Sequence, residues 1–160
     1  MIQAIQATDF DIYVQTEDNR INTSVASTQI RHLVKFTNDL DKSVHYAYGN
    51  TETIKDRFTT IAIKYEPLID IYTGRISLLL AGYWKYEIYE VSWAGTVTVS
   101  SGNAPATEDD VLTPAADTKG VVRGLVTMGK MYLAEKDGNH QVKYTQRQEP
   151  SGTNYIYYGQ

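Results

Sequence analysis

Residues 74–91, GRISLLLAGYWKYEIYEV, decide the fold that this sequence predicts. In residues 83–90 the side chains alternate between two faces, and aromatic and β-branched residues dominate, which is typical of a β-strand. The first half of the stretch is apolar and also has the composition of a strand. We therefore predict that the two halves form a hairpin that bends at Gly82. One face of the second strand carries Trp84, Tyr86, Ile88 and Glu90, and the other carries Tyr83, Lys85, Glu87 and Tyr89. We expect the face with the tryptophan to be buried in the core.

Short runs of the same character lie on both sides of this stretch. They are residues 10–15, 30–36, 43–48 and 57–65 before it, and residues 121–127, 130–135, 141–145 and 154–158 after it. We expect residues 30–36 and 43–48 to pair as a hairpin, residues 49–55 to form a loop, and a second hairpin to turn at Met128-Gly129. No segment shows a sustained 3.6-residue apolar period. Many short strands with turns between them predict an all-β protein, an antiparallel β-sandwich.

The composition sets limits on the class of protein. The chain has 160 residues, of which 42% are hydrophobic and 21% charged, so we expect one globular domain that spans residues 1–160. It contains no cysteine, which excludes disulfides and thiolate chemistry. The formal net charge is −4 and no basic cluster is present, which argues against nucleic acid as a partner. Because no apolar run is long enough to span a membrane, we expect neither a membrane partner nor membrane insertion.

Two parts of the chain lack a clear strand pattern. Residues 1–9 are expected to form an N-terminal arm or a short first strand. Residues 101–120, SGNAPATEDDVLTPAADTKG, contain prolines, small residues and three consecutive acidic residues, and they predict one long exposed loop. A loop of about 20 residues inside a compact domain is uncommon and often functional. We therefore expect both parts to contribute contacts with a partner.

The sequence carries no recognisable catalytic or metal-binding motif. His32, His45 and His140 lack the spacing of metal ligands, and we interpret the first two as strand residues that are hydrogen-bonded at a sheet surface. Glu87 and Glu90 lie on opposite faces of one strand, which prevents joint acid–base catalysis. Phosphate-binding glycine loops, dinucleotide motifs and nucleophile elbows are missing from the sequence. We expect no enzyme activity, no cofactor and no metal.

Exposed tyrosines and an acidic cluster are the candidate contact residues. The chain has 13 tyrosines against 3 phenylalanines, and an exposed tyrosine buries much area with few rotatable bonds. Residues 108–110, Glu-Asp-Asp, are more typical of a solvated loop tip than of a metal site. The predicted partner interface consists of Tyr83, Tyr89, Trp93, Glu108, Asp109, Asp110, Tyr155, Tyr157 and Tyr158.

Five motifs follow one another along the chain. They are FTND at residues 36–39, GRISL at 74–78, AGYWKYEIYE at 81–90, GLVTMGKMYLAE at 124–135 and YIYY at 155–158. In this order, over roughly residues 30–158, they resemble the small β-rich virion proteins of tailed bacteriophages. That resemblance implies an immunoglobulin-like or related β-sandwich. It further implies an auxiliary (decoration or cement) protein on the capsid surface, assembled in the bacterial host cytoplasm, which binds the major capsid protein.

Two alternatives remain open. A neck, tail or baseplate component would again be a sandwich that contacts other virion proteins, assembled as a ring or a trimer with copies of itself. A carbohydrate-binding module would use Trp84, Trp93 or the surface tyrosines as a sugar platform, which requires exposed and coplanar rings.

Overall fold

Two β-sheets packed face to face form the part of the chain that the computed structural model describes, residues 1–137. The strands are β1 (Ile2–Ile5), β2 (Phe10–Val14), β3 (Ile30–Asn38), β4 (Val44–Tyr48), β5 (Thr51–Ile54), β6 (Thr59–Tyr65), β7 (Arg75–Ile76), β8 (Gly82–Ser92) and β9 (Val121–Ala134). Short 3-10 helices at Glu17–Asn19, Ser27–Gln29 and Ile71–Thr73 lie in the connections. The predicted all-β sandwich is confirmed, and its immunoglobulin-like refinement stays a prediction.

The larger sheet has the strand order β1-β9-β8-β3-β4, and the smaller sheet has the order β2-β6-β5 with β7 beside the end of β6. The ladders between these strands are antiparallel, apart from the short parallel pairs β1–β9 and β6–β7. The predicted hairpin of residues 30–36 with residues 43–48 is confirmed as β3–β4. Strand β8 therefore lies at the centre of the larger sheet, with its backbone paired on both sides.

The central strand shows the burial pattern that its sequence predicts. Trp84, Tyr86 and Ile88 are buried and belong to the cluster of apolar side chains between the two sheets. Phe36 from the neighbouring strand β3 and Ile61 from the smaller sheet belong to the same cluster. Because this cluster contains side chains from both sheets, the inner face of β8 holds the two layers together.

One end of the sandwich interior is polar. His32 of the larger sheet lies with Nδ1 2.6 Å from Oε1 of Glu52 in the smaller sheet, and both side chains are almost fully buried. His32 was expected at a sheet surface, and that expectation is wrong. The Glu90 carboxylate accepts hydrogen bonds of 2.8 Å from the backbone N–H groups of Ile21 and Asn22. It thereby fastens the connection between β2 and β3 to the larger sheet, because a buried charge needs such partners.

Both hairpins predicted at glycines in the second half of the chain are wrong. Strand β7 is only two residues long and pairs with β6, so it forms no hairpin with β8 at Gly82. Strand β9 runs through Met128 and Gly129 without a turn. Gly129 lies opposite Tyr86, and a Cβ atom there would stand 2.6 Å from the Tyr86 hydroxyl oxygen. A glycine is required at position 129 because any larger side chain would collide with the ring of Tyr86.

Two shorter segments have different outcomes. Residues 49–55, expected as a loop, contain strand β5, which pairs with β6. Of the two alternatives predicted for residues 1–9, an arm or a short first strand, the strand is confirmed, because Ile2–Ile5 pairs with the end of β9. The sequence of β5, TETI, carries only one apolar side chain, so its alternation is too weak to predict a strand.

Replacing Trp84 by alanine is expected to lower the free energy of unfolding by roughly 3–5 kcal/mol, because the indole fills the space between the sheets. Its Nε1 also donates a hydrogen bond of 2.9 Å to the Leu80 carbonyl oxygen. Chemical denaturation measures the loss. Tyr83→Ala is the matched control, because Tyr83 precedes it on the opposite face and is 56% exposed. Equal losses for the two variants would show that the faces of β8 are assigned wrongly.

Candidate interaction surface

The outer face of the larger sheet, which points away from the smaller sheet, divides into a covered half and an open half. Residues of neighbouring strands lie opposite one another across this face, for example Leu33–Tyr89–Leu125 and Lys35–Glu87–Met128. The covered half consists of Leu33, Tyr48, Tyr89, Val91 and Val122, and the open half consists of Tyr83, Lys85, Leu125, Met128 and Lys130. Residues 93–120 lie over the covered half.

The covering segment builds a second hydrophobic cluster on the sheet. Its buried members are Leu33, Tyr48, Val91, Trp93 and Ala104. The Tyr48 hydroxyl donates a hydrogen bond of 2.7 Å to the Pro105 carbonyl oxygen, and burial raises the pKa of Tyr48. The segment closes on itself where the Gly120 N–H donates to the Asn103 carbonyl oxygen at 2.8 Å. Apolar burial and backbone hydrogen bonds therefore fix its path across the sheet.

This arrangement corrects two predictions. Trp93, predicted as a contact residue, is completely buried, and a Cβ atom on Gly120 would stand 2.7 Å from the indole atom Cζ2. The long loop predicted at residues 101–120 is exposed over only part of its length, since Ala104 and Pro105 are buried while residues 113–118 are exposed. Local composition indicates a loop correctly but carries no information on what the loop packs against.

Glu108 joins the covering segment to the sheet. Its carboxylate accepts hydrogen bonds from the Lys35 ammonium group and, at 2.5 Å, from the Tyr46 hydroxyl. The hydrogen bond to Glu108 raises the pKa of Lys35, while burial, followed by the bond to Glu108, raises the pKa of Tyr46 to about 12. Burial opposes ionisation of Glu108, but the bonds from Lys35 and Tyr46 outweigh it and lower the pKa of that carboxyl below its ordinary 4.5. Glu108, predicted as a partner contact, is already engaged within the chain.

The other acidic residues of the predicted cluster have different surroundings. Asp109 is exposed, and its carboxylate forms no hydrogen bond or ion pair within residues 1–137. Asp110 accepts hydrogen bonds of 2.8 and 3.2 Å from the backbone N–H groups of Ala106 and Thr107, which closes a turn. The three carboxylates therefore have different surroundings. Glu108 contacts the sheet, Asp109 contacts solvent and Asp110 closes a turn.

The open half exposes apolar side chains between paired charges. Met128 is 58% exposed and Leu125 42% exposed, and Tyr83 stands on the same face. Lys85 and Glu87 form an ion pair of 2.9 Å beside them. Tyr89, at the edge of the covered half, is half-buried. The predicted contact residues Tyr155, Tyr157 and Tyr158 lie outside the described residues.

Metal ligation and membrane crossing each require a recognisable feature of the structure. In residues 1–137, no group of three or more His, Cys, Asp or Glu side chains is placed to hold a metal ion. The same part of the chain contains no helix with the length and apolar character needed to cross a membrane. His45 is partly buried, with its ring centroid 5.8 Å from that of Trp84, and burial lowers its pKa.

Sequence reasoning missed four residues of this surface. Lys35 and Tyr46 occupy opposite positions on β3 and β4, as an alternating hairpin pattern indicates. Their link to Glu108, which follows Lys35 by 73 positions, exists only in the tertiary structure. Leu125 and Met128 were assigned to a predicted hairpin, so their common outer face was overlooked. A continuous strand through residues 121–134 would have placed both on it.

Replacing Glu108 by glutamine is expected to lower the free energy of unfolding at about pH 7, and the difference from the unchanged chain should shrink in acid. The folded-state pKa of Glu108 lies below the unfolded value of 4.5, so its carboxylate contributes stability above 4.5 that is lost as the pH falls through the folded pKa. Urea denaturation of both proteins over a pH series measures this difference.

Asp109→Asn is the neighbouring control, because its carboxylate has no partner in the described part of the chain. Its free energy of unfolding should stay within about 0.5 kcal/mol of that of the unchanged chain. A Glu108→Gln difference that persists unchanged into strong acid would contradict the assigned hydrogen bonds.

Comparisons with known proteins identify no family for this chain. No family model and no curated protein matches it. Among solved structures, a candidate glycoside hydrolase from Bacteroides vulgatus ATCC 8482 aligns with 84% of this chain at 10% identity and a TM-score of 0.38. The alignment spans only 16% of the length of that protein. A likeness this weak supports no conclusion about fold or activity.

Proposed function

We propose that this chain is a non-enzymatic structural protein of a tailed-bacteriophage virion. Its proposed role is that of an auxiliary (decoration or cement) protein on the capsid surface. There it binds and stabilises the lattice of the major capsid protein through the open half of its larger sheet.

One observation carries the proposal: Tyr83, Leu125 and Met128 are exposed together on one sheet face. Exposed apolar side chains that occur singly are normal on a soluble protein. Several of them on one face, here with the Lys85–Glu87 ion pair between Tyr83 and Leu125, are typical of a protein contact site. Tyrosine and methionine are also enriched at interfaces. The neighbouring covered half shows how such a face is buried when a polypeptide lies on it.

The resemblance in residues 30–158 supplies the class of partner. A formal net charge of −4 suits the outside of a capsid better than contact with packaged DNA, which requires basic side chains. The two-layer core around a central strand that is paired on both edges suits a protein that stabilises a lattice by binding alone. These features support the proposal together with the exposed apolar face.

The two alternatives make different demands on the same surface. A neck, tail or baseplate protein would bury the open half against a neighbouring copy in a ring, and imaging of labelled particles distinguishes that position from the capsid surface. A carbohydrate-binding module has less support, because Trp84 and Trp93 are both buried and neither can form a sugar platform.

The direct test is binding of the purified chain to preformed phage heads that lack it. We expect saturable binding, and we expect Met128→Glu to weaken it by about tenfold or more, because a charge would enter the centre of an apolar contact. Sedimentation of heads with the labelled chain measures the bound fraction.

Leu68→Glu is the matched control. Leu68 is also an exposed apolar residue, at 79%, but it lies in the connection between β6 and β7 and not on the open half. Its binding should equal that of the unchanged chain. Failure of the unchanged chain to bind heads, or equal binding of the Met128→Glu variant, would overturn the proposal.

A further inference from the structure

We propose that a cavity in the covering segment is a second docking site, which takes one apolar side chain flanked by lysine or arginine from an extended segment of a partner protein. This inference rests on the proposed function for the identity of the partner, but the cavity and its chemistry stand on their own geometry. The cavity lies between the acidic cluster at residues 108–110 and the start of β9.

The size and lining of the cavity indicate the kind of group that fits. Its volume is about 210 Å³, and its walls include Val111, Leu112, Ala115, Ala116 and Val121. Pockets for cofactors and drug-sized ligands measure about 300–1,000 Å³, so this one is suited to one or two side chains. An aliphatic or aromatic side chain would replace water against these walls.

Part of the apolar wall of the cavity is open to solvent. Val111 is 85% exposed at the mouth of the cavity. The segment is fastened by the Tyr48–Pro105 hydrogen bond and, at the edge of the cavity, by the contact of Glu108 with Lys35. The cavity is therefore open to a ligand while the segment that forms it is already fixed on the sheet. Binding there costs less conformational entropy than binding to a loose loop.

The charges at the rim favour a cationic neighbour to that side chain. Asp109 is exposed and has no ion pair or hydrogen bond in the part of the chain that is described, so its carboxylate is available. The Lys119 ammonium group, the basic member of the lining, donates to the carbonyl oxygen of Gly102 and to the Asn103 side chain. Since the cation is engaged and one carboxylate is not, a basic group on the incoming segment is the complementary charge.

A titration of the full chain with short peptides tests the site without any phage component. The probe is an acetylated and amidated Lys-Leu-Lys peptide, added to isotope-labelled protein and followed by NMR. We expect saturable shifts of the amide signals of residues 108–122 with a Kd on the order of 1 mM, which is a weak interaction suited to one member of a larger interface. A Glu-Leu-Glu peptide and a Lys-Ser-Lys peptide should produce no saturable shifts.

Three variants separate the contribution of the cavity from that of the Asp109 charge. Ala116→Phe places a ring in the cavity from an exposed position and should abolish binding of the probe. Asp109→Asn should weaken binding about threefold, the size expected for an exposed ion pair. Asp117→Asn, which changes an exposed carboxylate outside the lining, should leave binding unchanged.

Several outcomes would overturn the inference. These are absence of shifts at residues 108–122, equal binding of the acidic peptide, or binding that survives Ala116→Phe. Shifts of the same amides on dilution without peptide would instead identify a second copy of this chain as the occupant. Head binding without peptide binding refutes the cavity alone, whereas peptide binding without head binding refutes the proposed function alone.

Discussion

The structure depends on strand β8, whose inner face is buried along the strand and whose outer face is buried at its end, at Val91. The inner face of β8 packs Trp84, Tyr86 and Ile88 against the smaller sheet. Its outer face, near the end of the strand, packs Val91 beneath the covering segment. Because β8 is paired with β3 and β9, its backbone groups are satisfied between these two apolar layers. The sandwich and the covering segment are therefore attached to the same element.

The covering of one end of the outer face explains why only the other part of that face is available for a partner. The covering segment occupies the half near Leu33 and Val91, and it is held there by apolar packing and by Glu108. The other half keeps Tyr83 and Met128 exposed. The two candidate contact sites are thus the uncovered sheet and the cavity of the segment itself, and they lie on the same side of the molecule.

Local patterns predicted the layers of this fold better than its connections. The period-two alternation of β8 placed Trp84 on the inner face because alternation is a property of the strand itself. The glycine at position 129 was interpreted as a turn, yet it provides room for the ring of Tyr86 on the next strand. Trp93 was expected on the surface, yet it is buried because the loop-like segment that begins with it folds back and brings Gly120 against its indole ring. Both wrong predictions depend on contacts between residues far apart in the chain, and local patterns do not reveal such contacts.

Native-state hydrogen exchange tests the central claim most directly. If β8 holds both layers, its amides at residues 85–91 should exchange only through global unfolding, with the largest protection in the chain. Amides of residues 106–119 in the covering segment should exchange at lower free energy, since that segment can open while the sandwich persists. Exchange of the β8 amides at a lower free energy than those of β2 and β6 would contradict this account.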